Sequence, residues 1–198
     1  MSNILLSSDL VMKKLIKKHD LQPITKSFGE DKLFRDIVES IISQQLSVKA
    51  SDTIYKRFLF LFGNKFPTPV EIIKKSDDDI RGCGISYSKI KYIKGVAQAI
   101  SDKSINLDGL HDLTDEEVVD ALVALKGIGR WTAEMLLIFS LAREDIFSLG
   151  DIGLRNAVAR LYNVGRDDLE SIEKISTTWS PYRSLASRYL WKSLDNEK

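Results

Sequence analysis

Two glycines one residue apart, a strongly apolar run and a solitary aspartate follow one another in LKGIGRWTAEMLLIFSLAREDIFSLGD, from Leu125 to Asp151. Gly127 and Gly129 relax the backbone restrictions that side chains impose, so the turn is tight and its amides can point outward together. At a helix N-terminus such amides, reinforced by the helix dipole, suit an anion, and a phosphate fits that description. A GxG pair between helices more commonly does no more than end one helix and begin the next. Asp151 has two uses as well: a carboxylate placed for chemistry, or the N-cap of a helix beginning near Ile152. The two uses are compatible.

The elements that would position these residues read as helices. Phe34, Ile37, Val38, Ile41 and Ile42 follow the three-and-four spacing of one helix face, as do Ile90, Ile93, Val96, Ala97 and Ile100. Thr68-Pro69-Val70-Glu71 and Thr114 with Glu117 are capping boxes, and Asp167 with Glu170 is a weaker start. Ser180-Pro181 is expected to open the last helix, with Leu185, Tyr189 and Leu190 inside. The segment from Arg130 to Ala142, apolar almost all round, is expected to be a central buried helix spanning ~20 Å. No strand signal competes, and no low-complexity linker or solenoid period interrupts the chain. The expectation is an all-α protein of one domain over residues 1–198, with a helix-hairpin-helix at about 114–142.

At 198 residues and 43% hydrophobic, the chain can bury a substantial core. It has no apolar run near the ~18 residues of a membrane span and no secretory pattern in MSNILLSSDLVMKKLIKKHD, so it is expected to stay inside the cell and away from membranes. Cys83, the only cysteine, excludes a disulfide framework, a cysteine-rich zinc site and a four-cysteine iron–sulfur cluster. Its place between two glycines makes it a turn residue, and His19 and His111 read as surface residues. The net charge of +1 hides an uneven distribution: Arg81, Lys89, Lys91, Lys94 and Lys103 face only Asp102, while Asp108, Asp112, Asp115, Glu116, Glu117 and Asp120 follow without a lysine or arginine. That pattern is either a basic face for a polyanion or an ordinary solvated surface.

The run Leu125-Lys126-Gly127-Ile128-Gly129-Arg130-Trp131-Thr132-Ala133, followed by Ile146-Phe147-Ser148-Leu149-Gly150-Asp151, resembles the helix-hairpin-helix (HhH-GPD) DNA glycosylases, in particular the 3-methyladenine DNA glycosylase II branch. Ile41-Ile42-Ser43-Gln44-Gln45-Leu46-Ser47-Val48-Lys49-Ala50 resembles that branch's early helix and loop, and Trp179-Ser180-Pro181-Tyr182-Arg183-Ser184 its C-terminal motif. The likeness runs from about Phe34 to about Trp191. It implies two helical lobes flanking a cleft, without an N-terminal β domain, the N-terminal helix packing with the C-terminal ones.

The resemblance assigns Asp151 to catalysis, facing the positive charge that develops on the sugar as the N-glycosidic bond breaks. It places Trp131 and Trp191 at the pocket for the extruded base, with Met135 and Ile152 where some members carry an aromatic. Gln45, or its neighbour Leu46, would wedge into the stack, with Gln44 and Ser47 near the backbone. Gly127, Gly129, Arg130 and Thr132 would grip the phosphate. The carbonyls of Val123, Leu125 and Ile128 match those that hold a monovalent cation, Na+ or K+, in family members; no cofactor is required for catalysis. Lys89 and Tyr92 fall in a further family segment, where DNA contact and a plain solvated helix face both remain open.

Trp131 stands where bifunctional relatives carry their Schiff-base lysine, which implies hydrolysis without strand cleavage. Ser148-Leu149-Gly150 departs from the proline and second acidic residue common before the aspartate in that family. The implied activity is excision of alkylated bases, 3-methyladenine and 7-methylguanine, from double-stranded DNA, by a monomer in a prokaryotic cytoplasm and nucleoid or a eukaryotic nucleus. A glycosylase for another damaged base and a non-catalytic DNA-binding module are the alternatives.

Overall fold

The computed structural model describes residue 6, residues 8–24 and residues 29–195. Among these every regular element is helical: α1 (Leu10–Lys18), α2 (Glu30–Ser43), α3 (Val48–Leu61), α4 (Pro69–Lys74), α5 (Asp77–Gly82), α6 (Tyr87–Ser101), a 3-10 turn (Asp108–Asp112), α7 (Asp115–Val123), α8 (Arg130–Phe139), α9 (Ile152–Tyr162), α10 (Leu169–Thr177) and α11 (Arg183–Leu194). No described helix is long and apolar enough to cross a membrane. The chain divides into two compact units, one of residues 26–136 and one of residues 1–25 with 137–198.

In the unit of residues 26–136, α6 is the hub, packing against α2, α4 and α5. Its Ile90, Ile93, Val96, Ala97 and Ile100 are buried, as are Phe34, Ile37, Val38, Ile41 and Ile42 of α2. Each of the larger side chains among them contributes about 1.5–3 kcal/mol over an exposed one. Both capping boxes form, Thr68 with Glu71 at α4 and Thr114 with Glu117 at α7.

The other unit packs α1 and α9 on α11 around Met12, Leu15, Leu154, Val158, Ile172, Trp179 and Leu190. Asp9 fastens it. One carboxylate oxygen caps α1 by accepting from the amides of Val11 and Met12, and the other accepts from Tyr162 Oη at 2.7 Å and Trp179 Nε1 at 3.2 Å. Burial and this bond push the Tyr162 phenol far up.

Three boundaries differ from the sequence expectation. The regular helix after the hairpin closes at Phe139, so it has ten residues and spans ~15 Å. Ala142 turns left-handed at φ 51°, and Arg143 N–H reaches back to the Leu137 carbonyl, a Schellman closure without the glycine that would have announced it. The helix at 169 is capped by Asp168 in place of Asp167, which instead pairs with Arg155 and Arg166. The last helix begins at Arg183, after Ser180-Pro181.

That last start has a physical reason. Ser180 Oγ donates to Asp145 Oδ2 at 2.7 Å and caps nothing. The first amides of α11 are satisfied from outside: Arg183 N–H donates to Asp145 Oδ1 and Ser184 N–H to the Glu144 carbonyl. The Arg183 guanidinium adds a two-pronged pair to Asp145, at 2.7 and 3.0 Å. Burial would raise the Asp145 carboxyl, but the bonds from Arg183 and Ser180 outweigh it and hold the group below the usual carboxylate range.

A depressed carboxyl stabilises the fold above its unfolded pKa, about 3.9, and loses that contribution as pH falls through the folded value. Asp145→Asn is therefore expected to cost about 1–3 kcal/mol at neutral pH. In urea melts from pH 7 to pH 2, the gap between wild type and variant should close only below about pH 4. A gap of constant size would show that the carboxylate charge does not matter.

Candidate active site and nucleic-acid grip

Asp151 ends the loop that leaves Asp145 and caps α9, with extended backbone at φ −79° and ψ 114°. Its Oδ1 accepts two hydrogen bonds, from Leu154 N–H at 2.7 Å and from Trp191 Nε1 at 3.0 Å. The N-cap reading of this residue holds, and an indole fixes the carboxylate from a second direction. Trp191 lies two turns along α11 from Arg183, so one helix holds both ends of the loop that delivers Asp151. Between those ends, the amide of Ile146 donates to the buried Ser184 Oγ at 2.9 Å.

Sequence reasoning missed two residues here. Gly153 sits beneath the Asp151–Trp191 bond: a Cβ on it would lie 3.0 Å from Asp151 Oδ1 and 3.4 Å from Trp191 Cδ1. Phe139 is 46% exposed, with its ring centroid 5.7 Å from that of Trp191 at a 30° tilt. Its spacing of four from Met135 and eight from Trp131 was the available signal, because such residues share a helix face. The expectation of an all-round buried helix is corrected accordingly. Ala133, Leu136, Leu137 and Ile138 are buried, whereas Trp131 is 48% exposed and Met135 half-buried. Ile152, at the first position of α9, is exposed.

The hairpin glycines have separate reasons. Gly127 adopts φ +96°, and a Cβ there would fall 2.4 Å from the Tyr92 ring, so both conformation and space demand glycine. Gly129 has no left-handed angle, and nothing lies within 4 Å of where its Cβ would be. The chain's own packing does not explain that second glycine; close approach of an outside group to the backbone would. Thr132 is 6% exposed, so its side chain belongs to the interior. Arg130 Nη1 and Nη2 each bond Glu116 at 2.8 Å, and its Nε bonds Glu134 at 3.1 Å. Those bonds lower the Glu116 pKa and raise that of Arg130, and they tie the first helix of the hairpin motif to the second.

The loop from Gln44 to Ser47 lies between α2 and α3. Gln44 is half-buried and donates from Nε2 to the Gly127 carbonyl at 2.9 Å. Gln45 is exposed and left-handed at φ 58°. Leu46 is exposed beside it, and Ser47 Oγ caps α3 by accepting from Ala50 N–H.

The basic stretch is less available than its composition suggests. Lys89 Nζ donates to the carbonyls of Ile42 and Gln44, and Lys94 Nζ to the Lys75 carbonyl and Asp77. Arg81 lies over the Tyr87 ring. Lys91 and Lys103 are exposed. Cys83 is buried in its turn, which raises its thiol pKa, and His19 and His111 are half-buried where surface positions were expected. No group of three or more metal-binding side chains occurs among the described residues.

Comparison with known proteins gives these placements a family. Residues 38–181 match the HhH-GPD superfamily of base excision DNA repair proteins. The chain is 35% identical over 184 residues to DNA-3-methyladenine glycosylase 1 of Schizosaccharomyces pombe, covering 91% of this chain and 81% of that protein. Among solved structures it resembles the DNA-3-methyladenine glycosidase of Bacillus halodurans, at 34% identity and a TM-score of 0.84 over 97% of this chain and 88% of that one. It also resembles the S. pombe 3-methyladenine DNA glycosylase in complex with abasic DNA, at 34% identity and a TM-score of 0.81 over 99% and 97%. With the four motifs lying inside or beside the matched span, the chain belongs to the HhH-GPD superfamily of base excision DNA repair proteins, within the branch that holds the DNA-3-methyladenine glycosylases.

Proposed function

We propose that this chain is a monofunctional DNA glycosylase that hydrolyses the N-glycosidic bond of 3-methyladenine and 7-methylguanine in double-stranded DNA and leaves an abasic site. The observation that carries this reading is the double hold on Asp151 Oδ1, by a helix amide and by an indole N–H, in a chain of this family. A carboxylate oriented before substrate arrives loses no reorganisation energy when charge develops in front of it.

In this reading the base departs with the electron pair of the C1′–N bond, and the sugar gains oxocarbenium character opposite Asp151. A water oxygen then bonds to C1′ and its proton passes to the carboxylate. A cationic alkylated base is already a good leaving group, so a strong general acid is unnecessary. It does need an aromatic face, because electron-poor and positive rings stack on one favourably. Trp191 and Phe139 offer such faces beside Asp151, with Ile152 at the edge. On the first turns of α8, Trp131 offers a further aromatic face and Met135 an apolar side chain. Trp131 cannot form a Schiff base with the abasic sugar, so strand cleavage is not part of the reaction.

The grip on the phosphate falls to backbone. The N-terminus of α8, where the helix dipole favours an anion, follows Gly129, and nothing lies within 4 Å of where a Cβ on Gly129 would be, which leaves room for a phosphate. Arg130 acts in this reading as the clamp of the hairpin and Thr132 as its interior anchor. A sodium or potassium ion suits the carbonyls of Val123, Leu125 and Ile128, since Val123 ends α7, where carbonyls lack helical donors and oxygen ligands match a hard cation. It would supply charge beside the phosphate and take no part in bond breaking, and catalysis needs no cofactor. The enzyme works as a monomer of one domain over residues 1–198, in the nucleoid of a prokaryote or the nucleus of a eukaryote.

The deciding measurement is base release from methylated duplex DNA, with the released bases identified by mass. Asp151→Asn keeps a good N-cap, so the fold survives while turnover is expected to fall on the order of 10²-fold or more. Wild type should release 3-methyladenine and 7-methylguanine and leave intact abasic strands. Release undiminished in the variant would remove Asp151 from the chemistry, and a β-elimination product would remove the monofunctional assignment. Failure to release either base despite salt-sensitive DNA binding would favour another lesion or a binding module.

The hairpin glycines give a second test. Gly127→Ala should lose about 2–4 kcal/mol, from the left-handed backbone and the Tyr92 contact together. Gly129→Ala should melt like wild type yet bind duplex DNA several-fold more weakly, as titration at fixed salt would read. Equal DNA affinity for Gly129→Ala and wild type would show that no phosphate approaches there.

A further inference from the structure

We propose that Lys89 is a positioning residue which locks the wedge loop, Gln44 to Ser47, onto the hairpin, so that the side chain entering the base stack and the amides on the phosphate act as one rigid device. The inference rests on the glycosylase reading above and adds a role for a residue that reading does not use.

The loop needs support from outside itself. The last carbonyls of α2 have no helical donors. Gln44 leaves the helix at φ −49° and ψ 130°, and Gln45 then takes a left-handed conformation at φ 58°. A non-glycine residue there costs about 1–2 kcal/mol. Lys89 Nζ supplies the support, donating to the Ile42 carbonyl at 2.7 Å and to the Gln44 carbonyl at 2.6 Å. Charge-assisted bonds of this kind are the strong class, and a cation at a helix C-terminus is favoured by the dipole.

The same helix also reaches the hairpin. Tyr92, three residues after Lys89 and so on a neighbouring face of α6, packs under Gly127 closely enough to exclude any Cβ there. Gln44 closes the circuit by donating from Nε2 to the Gly127 carbonyl. Wedge loop and hairpin are therefore joined directly through Gln44 and indirectly through α6. A lysine whose purpose was to collect phosphate would keep its ammonium in water. Lys89 is instead half-buried with its donors on carbonyls, and burial pulls its pKa down.

A wedge matters only where a base must be pushed out of a stack. The test compares two substrates carrying one 7-methylguanine, a fully paired duplex and a duplex in which the lesion lies in a short unpaired bubble. Lys89→Met should release base from the paired duplex roughly tenfold more slowly than wild type, and from the bubble within about twofold of wild type. Loss of equal size on both substrates would mean general structural damage, and loss on neither would mean the tether is idle; each overturns the proposal. If wild type releases base from neither substrate, the glycosylase reading fails on its own account. The tether is then decided by 2-aminopurine fluorescence next to the lesion. A rise on binding that is smaller in Lys89→Met than in wild type supports it, and equal rises overturn it.

Discussion

The loop bounded by Asp145 and Asp151 has to be held by something stiffer than itself. In this protein the holding is done by one helix. The N-terminus of α11 takes Asp145 on its first amide and its arginine, and two turns later Trp191 takes Asp151. The loop between the two aspartates is thereby fixed at both ends against the same rigid rod. Its own sequence, Ile146 to Gly150, need carry no proline or second acid to stiffen it, which gives a physical reason why this chain can depart from its family at that point.

The division of labour follows the two compact units. Asp151, Trp191, Phe139, Ile152 and Gly153 belong to the unit that contains both ends of the chain, and the hairpin, the loop from Gln44 to Ser47 and Lys89 belong to residues 26–136. Each unit achieves its geometry by a related device, a loop residue held by a side chain from a distant helix. Trp191 does this for Asp151 across forty residues of sequence, and Lys89 for Gln44 across forty-five. Precision in both places depends on buried helix packing, which is stiff, more than on the loops themselves.

Much of this was legible in the chain. The faces of α2 and α6, both capping boxes and the all-helical class follow from local spacing, because a helix writes its buried side every three or four residues. What was not legible is long-range or unsigned. Arg130 bonds Glu116, fourteen residues away, and no local pattern announces that pairing. The end of α8 was misplaced because Ala142 turns left-handed with no glycine to signal it. Ser180-Pro181 imitates a helix start, and only the partner Asp145 shows why the helix waits until Arg183. Asp9 lay in a stretch with no motif, since its partners Tyr162 and Trp179 are more than one hundred and fifty residues distant.

The glycine at 153 carries a different kind of information. Because a Cβ there would crowd both the indole and the carboxylate that meet above the first turn of α9, Asp151 is marked less by the residues before it than by the one two places after it. Among chains with a degenerate approach to this aspartate, an Asp-X-Gly opening to the helix, together with a tryptophan about forty residues on, is a fingerprint that geometry itself writes into sequence. Such a fingerprint would separate members that retain the oriented carboxylate from those that keep only the hairpin.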